Sequence, residues 1–495
     1  MHDTTPCPRC GARRDTTVHR CPAGVDVLGL PPAALRVLEV LSAVGRPVVV
    51  GGTVREALLR EAGVALPAAT EPDVDVELHG APGTDVVVDA LRRAGAVVVT
   101  VGAQFTVCKV LLDATHLDVA VVPGAVDDDP ALDRAVAVAA RHRDLTVNAV
   151  AWDPARGVFL DAVHGIDDAR DRVLRHVSDT FGDDPLRVLR VVRFVARYGS
   201  VVHPDTVRLA RALSDRWDTI AHERLWPEVR RLTEGDHLSA ALDVLHATDW
   251  ERHLPELAAV RDVPQDPTWH PEGPVHVHSG LAADAAARAC RASGVAGDRR
   301  VVVVLAALLH DLGKAGDGTQ RVVDADGSVR IRSIGHEVTG AVAAAALLRR
   351  LGAPRSVVRE VAVLVREHMV AHSTHGAPPS LPAARRLLRR LGGTVATAEA
   401  WALVCEADSQ GRGPAASSSA AVAWLDVLRS DQVSGRRTSF VTGRDLVDAG
   451  LAPGPRFRTL LAEAAEAQDD GVFDDAASGR RWLAARLAEA TPAGD

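Results

Sequence analysis

The sequence predicts an α+β N-terminal domain followed by helical regions, and two observations carry this prediction. Up to about residue 165, short apolar runs of strand length alternate with helical segments, whereas beyond 166 apolar residues recur at helical spacing. Stretches rich in Pro and Gly at 263–274 and 411–414 mark further boundaries. We therefore divide the 495 residues into an extension at 1–25, an α+β head at 26–165, and three helical regions at 166–262, 263–415 and 416–495.

The head contains alternating helix and strand patterns that can be followed along the chain. Helices are predicted where apolar residues recur every three or four positions, and strands where they run together or alternate with polar residues. In order, the predicted elements are a helix at 35–41, a strand at 47–50, a helix starting at 54–59, and strands at 74–78, 97–101, 105–111 and 117–122.

Composition limits the classes of protein that the chain can represent. With 47% hydrophobic and 25% charged residues it is globular, and its net charge of −8 excludes a uniformly basic nucleic-acid binder. No apolar run reaches the ~18 residues of a membrane span, and the first residues carry no secretory pattern. We therefore expect a cytoplasmic protein without a membrane partner. Only two lysines, Lys109 and Lys314, occur among its 57 basic residues.

Three acidic residues on predicted strands indicate a metal site in the head. Asp73 and Asp75 are two positions apart, so their side chains point to the same face of a strand, and Asp118 lies on another alternating strand. Adjacent carboxylates repel unless a cation lies between them, and oxygen ligands suit Mg²⁺. Such carboxylates can hold metals for phosphoryl displacement. The alternative is an ordinary solvated strand face.

Gly51 and Gly52, between a strand and a helix, let backbone amides approach a phosphate, although most such pairs are plain turns. Two later segments carry charged and amide side chains: Arg143, Asp144 and Asn148, then Asp184 and Arg187. A basic stripe free of acids follows one helix face, and its alternative is a solvated surface. The stripe consists of Arg187, Arg190, Arg193 and Arg197.

In order and spacing these segments resemble the motifs of the bacterial class II tRNA nucleotidyltransferase/poly(A) polymerase family, and the segment 223–228 resembles the next motif. The resemblance implies a polymerase-beta-like nucleotidyltransferase head and an all-α neck. It implies that Asp73 and Asp75 bind metal, that Arg143 and Asp144 contact ribose and phosphates, and that Asp184 and Arg187 read the base. The remaining expected nucleotide-binding residues are Gly51, Gly52, Arg55, Asn148, Arg190 and Arg193. Two residues depart from the family pattern, Glu56 and His142.

A second set of metal-binding residue types lies between 276 and 408. His310 and Asp311 end an apolar helical run, and burying both is expensive unless something binds them. Imidazole and carboxylate together suit a divalent transition metal or Mg²⁺. A hairpin is predicted at 320–333, with Asp326 and Gly327 as its turn. The segment from 276 to 408 resembles the HD metal-dependent phosphohydrolase family, which implies an all-α domain. The implied ligands are His278, His310, Asp311 and Asp408, with His336 and His368 as extra ligands of two-metal members.

Both sets on one chain resemble the multifunctional CCA-adding enzymes that carry an HD domain. The resemblance implies addition of CCA to tRNA from CTP and ATP, with phosphohydrolase activity. Asp184 and Arg187 are three residues apart, so on a helix they share a face. A carboxylate only accepts hydrogen bonds and a guanidinium only donates them, so this pair would match cytosine and adenine and mismatch uracil and guanine. The alternative is that Asp184 caps the helix whose first turn holds Pro185. The alternatives are poly(A) or partial CCA addition, and an inactive RNA-binding head joined to an active HD site. Oligomeric state stays open.

The extension carries four residues of zinc-ligand type. Cys7 and Cys10 form a Cys-x2-Cys half-site, and His19 with Cys21 supplies the other half at a spacing poorly suited to a standard zinc finger. The sequence leaves two interpretations open, a zinc site and a disordered extension with incidental thiols.

Overall fold

A computed structural model of the chain describes residues 6–7, 9–12, 18–24, 27–66, 74–101, 107–126, 128–323, 329–374, 376–413, 418–434 and 438–489. They form two compact units, residues 1–253 and 254–495. None of the helices in these ranges is long and apolar enough to cross a membrane.

An eight-stranded mixed sheet forms the centre of the first unit as far as it is described. Its strand order is β1-β8-β7-β2-β3-β6-β5-β4, and β3 with β6 is its parallel pair. The strands are β1 (His19–Pro22), β2 (Arg46–Val50), β3 (Val74–His79), β4 (Val97–Val101), β5 (Val107–Leu112), β6 (Thr115–Val122), β7 (Ala151–Asp153) and β8 (Val158–Asp161).

Helices cover this sheet and continue beyond it. The helices are α1 (Pro32–Ser42), α2 (Gly52–Glu61), α3 (Thr84–Arg93), α4 (Asp129–Ala140), α5 (Gly165–Arg170), α6 (Leu186–Tyr198), α7 (Pro204–Ala212), α8 (Leu225–Leu232) and α9 (Leu238–Ala247). A core between α4 and the sheet contains Val48, Val50, Leu132, Val136 and Leu160. Two short parallel strands, β9 (Val173–Leu174) and β10 (Val201–Val202), lie within the otherwise helical neck.

As far as its residues are described, the second unit is helical apart from one hairpin. Its helices are α10 (Pro255–Ala259), α11 (Val275–Ala292), α12 (Gly297–Leu309), α13 (His336–Arg350), α14 (Arg355–Glu367), α15 (Leu381–Arg390), α16 (Val395–Gln410), α17 (Ala421–Arg429), α18 (Asp431–Ser434), α19 (Gly443–Asp448), α20 (Pro455–Asp469) and α21 (Ala476–Glu489). The hairpin joins β11 (Thr319–Val323) to β12 (Val329–Ser333) where the sequence predicts one, and its predicted turn lies outside the described residues.

The predicted fold class is confirmed, with three local corrections. The N-terminal segment is not a separate extension, because β1 pairs antiparallel with β8 and forms the sheet edge. Strands β7 and β8 were not predicted, since each is short and buried on both faces and therefore lacks alternation. Helix α6 begins at Leu186, so Asp184 precedes the helix instead of sharing a helical face with Arg187.

Candidate active sites

The glycine turn and two strand carboxylates of the head meet at one position of the sheet. Gly51 follows β2 with φ +71°, and a Cβ atom on it would lie 2.4 Å from Asp75 Oδ2. Parallel pairing of β3 with β6 sets Asp75 directly opposite Asp118. Directly paired residues project onto the same face of a sheet. Two of the three predicted carboxylates are therefore neighbours beside Gly51, whereas Asp73 lies outside the described residues.

One of the two lysines of the chain lies on this carboxylate pair. Lys109 of β5 pairs directly with Asp118 of the neighbouring strand β6, and its Nζ is 3.1 Å from Asp118 Oδ2. The ammonium partly neutralises two adjacent negative charges that would otherwise repel each other. Sequence reasoning noted the scarcity of lysine but did not assign Lys109 to the site.

A buried polar network joins the head to helix α6 of the neck. Arg55 donates to Asn148 Oδ1 at 2.7 Å and to the Tyr198 hydroxyl at 3.0 Å. Asn148 donates to Asp144 Oδ1, and Arg190 Nε donates to Asp144 Oδ2, both at 2.8 Å. Burial raises the pKa of Asp144, but Arg190 and Asn148 outweigh burial and hold it below its usual value. The network therefore keeps Asp144 ionised and fixed.

The arginines of the basic stripe on α6 bind to other groups of the protein. Arg193 Nε lies 2.8 Å from Glu228 Oε2 of α8, and Arg197 donates to Glu56 at 2.8 Å. Glu56, which departs from the family pattern, therefore forms an ion pair with the neck helix α6. The predicted helix is confirmed as α6; of the three residues expected on its buried face, Val192 and Phe194 are buried and Leu189 is half-buried. In this structure three arginines of the stripe form ion pairs between segments and Arg187 donates to backbone carbonyls, so the stripe is not an open basic surface.

Asp184 and Arg187 do not contact each other in this structure. The Asp184 carboxylate accepts hydrogen bonds from Arg224 at 2.6 and 3.2 Å and from the Leu186 N–H at 3.2 Å. Arg187 donates to the Thr180 and His142 carbonyls at 2.7 and 3.0 Å. Asp184 therefore takes the helix-capping role that was its alternative interpretation, and base reading by this pair stays a prediction. Arg143, in turn, pairs with Glu77 of β3.

All six residues predicted for the HD site converge in the second unit. His310 and Asp311 follow the buried helix α12, and Gly313 lets the next turn approach α13 because a Cβ there would lie 2.0 Å from the His336 carbonyl oxygen. Two groups of three ligand atoms lie within 4.8 Å of one another. The groups are His278, His310 and Asp408, and His310, Asp311 and His368. His336 completes the cluster, since its Nε2 is 3.3 Å from Asp311 Oδ1.

Each imidazole of this cluster has a hydrogen-bonding partner at Nδ1, which fixes the orientation of the ring. Nδ1 of His310, His336 and His368 lies 2.8, 2.7 and 2.6 Å from backbone carbonyl oxygens, and Nδ1 of His278 lies 2.6 Å from Glu272 Oε1. A histidine that donates from Nδ1 presents the Nε2 lone pair, which is the usual arrangement around a bound metal. Glu272 is a functional residue that sequence reasoning missed, although its place in a His-x-Glu segment at 270–272 was a signal.

The electrostatics of the cluster favour a cation. His310 Nε2 and Asp311 Oδ1 are buried without a hydrogen bond among the described residues, which is costly unless a ligand satisfies them. Burial lowers the pKa of His278, but Asp408 and Glu272 outweigh it and raise this pKa to about 9. Lys314, the other lysine of the chain, lies 2.7 Å from Asp311. The donor set therefore fits a divalent metal.

A cavity of about 840 Å³ opens onto this cluster. Its walls include Lys314, Trp269, which is 63% exposed, and Arg412, whose buried Nε has no hydrogen-bond partner among the described residues. Cationic groups and an exposed aromatic ring beside a metal-type cluster suit a phosphorylated, base-bearing ligand.

The four predicted zinc ligands of the N-terminal segment also come together. The ligand atoms of Cys7, Cys10, His19 and Cys21 lie within 4.8 Å of one another. Burial raises the pKa of the Cys21 thiol to about 12.

Two domain families match separate parts of the chain. The Poly A polymerase head domain matches residues 48–175, and the HD domain matches residues 275–409. Fold and sites together thus define a class, in which a nucleotidyltransferase head is combined with an HD domain on one chain.

Similar proteins narrow this class to one family. A multifunctional CCA protein of Xanthomonas oryzae pv. oryzae (strain MAFF 311018) is 35% identical over 337 residues, covering 65% of this chain and 75% of that protein. Another, from Acinetobacter baumannii (strain AYE), is 34% identical over 279 residues, covering 55% of this chain and 63% of that protein. The chain belongs to the family of multifunctional CCA proteins, and the expected family is confirmed.

Solved structures of CCA-adding enzymes have the same fold. The Bacillus stearothermophilus CCA-adding enzyme in complex with CTP matches with a TM-score of 0.58 and 20% identity, covering 93% of this chain and 99% of that chain. The Thermotoga maritima enzyme complexed with tRNA matches with a TM-score of 0.55 and 17% identity, covering 95% and 99%. At these identities the likeness shows the fold.

Proposed function

We propose that the protein is a template-independent RNA nucleotidyltransferase that adds or repairs the 3′ CCA end of tRNA from CTP and ATP. The observation that carries the proposal is the parallel pairing of β3 with β6, which sets Asp75 beside Asp118 next to the Gly51 turn. Family membership supports the same reaction, since the relatives are named multifunctional CCA proteins.

The head carboxylates fit Mg²⁺, because their donor set consists of oxygen atoms alone. Asp75 and Asp118 would hold the ion together with Asp73, which precedes β3 in the chain. When bound, the ion would neutralise charge on the triphosphate and on the attacking 3′ oxygen. Gly51 leaves space for the Asp75 carboxylate and Gly52 begins α2, whose first amides favour a phosphate. Lys109 supplies a further positive charge at Asp118.

Selection of cytosine and adenine would rest on Asp184 and Arg187. Both bases present an amino donor beside a ring-nitrogen acceptor, which a carboxylate and a guanidinium can match. Arg187 would have to exchange its hydrogen bonds to the Thr180 and His142 carbonyls for the base. Arg224 can hold the second oxygen of Asp184 during this exchange, since it contacts both oxygens now. The buried Arg55–Asn148–Asp144–Arg190 network would fix the wall of the same site.

For the HD site we propose hydrolysis of phosphate monoesters or cyclic phosphodiesters. Four imidazoles and two carboxylates favour a divalent transition metal, although Mg²⁺ is compatible with the carboxylates. Such an ion would supply a nucleophilic water near neutral pH. Lys314 and Arg412 would bind the phosphate, and Trp269 would stack on a base. The cavity thus suits the phosphorylated end of an RNA or a nucleotide.

One crossed experiment tests both assignments. Wild type, Asp75→Ala and Asp311→Ala are incubated with tRNA lacking CCA and each single nucleoside triphosphate, and in parallel with a 2′,3′-cyclic nucleotide. We expect Asp75→Ala to lose nucleotide addition alone and Asp311→Ala to lose hydrolysis alone. Asp89→Asn on α3 and Asp426→Asn on α17 are matched controls, because both carboxylates are exposed and neither belongs to the carboxylate pair, the histidine cluster or the cavity wall. Addition of AMP alone would favour a poly(A)-adding enzyme, and no addition by the wild type would favour an inactive head.

A further inference from the structure

The N-terminal cluster has the dimensions of a tetrahedral zinc site. Cys7 Sγ lies 3.9 Å from Cys21 Sγ, and Cys10 Sγ lies 3.5 Å from His19 Nε2. Zinc bonds of roughly 2.3 Å to sulfur and 2.0–2.1 Å to nitrogen give tetrahedral edges of about 3.8 Å for sulfur to sulfur and about 3.6 Å for sulfur to nitrogen. A disulfide is not formed, since its sulfur atoms would be roughly 2.05 Å apart.

A tight loop supplies one half of the cluster and strand β1 supplies the other half. Cys7 and Cys10 lie in a tight loop closed by hydrogen bonds between Cys7 and residues 11 and 12, with Gly11 at φ +73°. His19 and Cys21 lie two positions apart on β1, and both are buried while Arg20 between them is exposed. Alternation along a strand places such residues on one face. The spacing that does not suit a finger helix is therefore suited to a strand.

Arg9 links the cluster to the head. Its Nη1 donates to Cys21 Sγ at 3.4 Å, its Nε donates to Glu61 at 2.8 Å, and its guanidinium lies 5.0 Å from the centre of the Phe159 ring. Three thiolates around Zn²⁺ carry a net charge of −1, which the Arg9 guanidinium balances. Hydrogen bonds from outside the ligand shell are characteristic of metal sites.

We infer that Cys7, Cys10, His19 and Cys21 bind one zinc ion as a closed structural site that fastens the loop at 7–12 to β1, the edge strand of the head sheet. Binding releases the three thiol protons to solvent and leaves no open coordination position for a substrate. The site is separate from the carboxylates at Asp75 and from the HD cluster. It starts 41 positions before residue 48, where the match to the head family begins.

Metal content of the full-length protein tests the inference. The background is the double variant His310→Ala/Asp311→Ala, which removes ligands of the HD site so that its metal does not obscure the count. After removal of any affinity tag and dialysis, we expect one equivalent of zinc, lost on adding Cys10→Ser and kept on adding Cys108→Ala. Cys10 is exposed, so its change is mild, and Cys108 is a buried cysteine of the same sheet outside the cluster.

A second measurement on the wild type does not depend on any variant folding. Cobalt exchanged into the protein should give thiolate-to-cobalt charge-transfer absorption and tetrahedral ligand-field bands. Zinc content unchanged by Cys10→Ser, absence of the thiolate bands, or a Cys7–Cys21 disulfide in peptide mass spectra would each overturn the inference.

Discussion

Replacing Gly51 by alanine should stop nucleotide addition while the chain still folds. The new Cβ would lie 2.4 Å from Asp75 Oδ2, and ordinary contact begins at 3.4 Å, so the carboxylate must move by about 1 Å. A displacement of ~1 Å at reacting groups costs on the order of 100-fold in rate. The backbone of Gly51, with φ +71° and ψ −135°, is a conformation that residues with a Cβ rarely adopt, which adds a destabilisation of ~1–3 kcal/mol.

The assay is incorporation of CMP and AMP into a tRNA that ends before CCA, together with thermal unfolding. Gly63→Ala is the matched control, because Gly63 also has a positive φ, +78°, but its nearest neighbouring atom is 4.0 Å away. Both variants should lose stability, and only Gly51→Ala should lose addition, while hydrolysis at the HD site persists in both. If Gly51→Ala keeps more than about a tenth of the wild-type rate of addition, or if Gly63→Ala loses as much, the reasoning about Asp75 fails.

Three further predictions concern other residues. Asp184→Ala and Arg187→Ala should each lower CTP and ATP addition by about 5- to 150-fold, which corresponds to roughly 1–3 kcal/mol for one unsatisfied group, and spare UTP; an equal loss for all three nucleotides would show a structural role. Arg190→Met leaves Asp144 buried without its cation, so urea unfolding should show a loss of about 3 kcal/mol at pH 7. The pKa of Asp144 is depressed in the wild type, so the stabilisation by the ionised carboxylate is present above the unfolded pKa of ~3.9 and is lost as pH falls through the folded pKa. The stability difference between wild type and Arg190→Met should therefore shrink at low pH. A difference that stays constant with pH would contradict this account. Asp311→Ala should bind less divalent metal than the wild type in equilibrium dialysis, and unchanged binding would remove Asp311 from the ligand set.

Patterns within one segment were sufficient to predict most elements, whereas partners from distant segments were not. The alternation at Asp75 and at Asp118 identified two strands, but nothing local indicates that these strands pair in parallel and in register. The stripe on α6 was visible from its spacing, but its carboxylates come from α2, α8 and the segment at 144. A solvated face and a buried seam of ion pairs have the same local pattern, so only the fold separates them.

The two clusters that contain histidine show the same limit of prediction from local patterns. The His310–Asp311 pair was found because two adjacent ionisable residues ended an apolar helix, which is costly in any fold. The spacing of His19 and Cys21 does not suit a standard zinc finger, and only the pairing of β1 with β8 shows that both residues lie on one face of a strand. The His-x-Glu segment at 270–272 points to Glu272, but its role in orienting His278 depends on a contact that the spacing alone does not give.

The two lysines give the protein one chemical labelling position beside each candidate active site. Lys109 contacts Asp118 and Lys314 contacts Asp311, so each side-chain amine of the 495-residue chain reports on one candidate active site. Reductive methylation with ¹³C-formaldehyde would place one NMR probe beside each site without any mutation. The side chain of Lys109 is 59% exposed and that of Lys314 is 12% exposed, so the first should be modified faster. A cation that binds at either carboxylate must displace the ammonium, and the two resonances would then distinguish occupancy of the head from occupancy of the HD cluster.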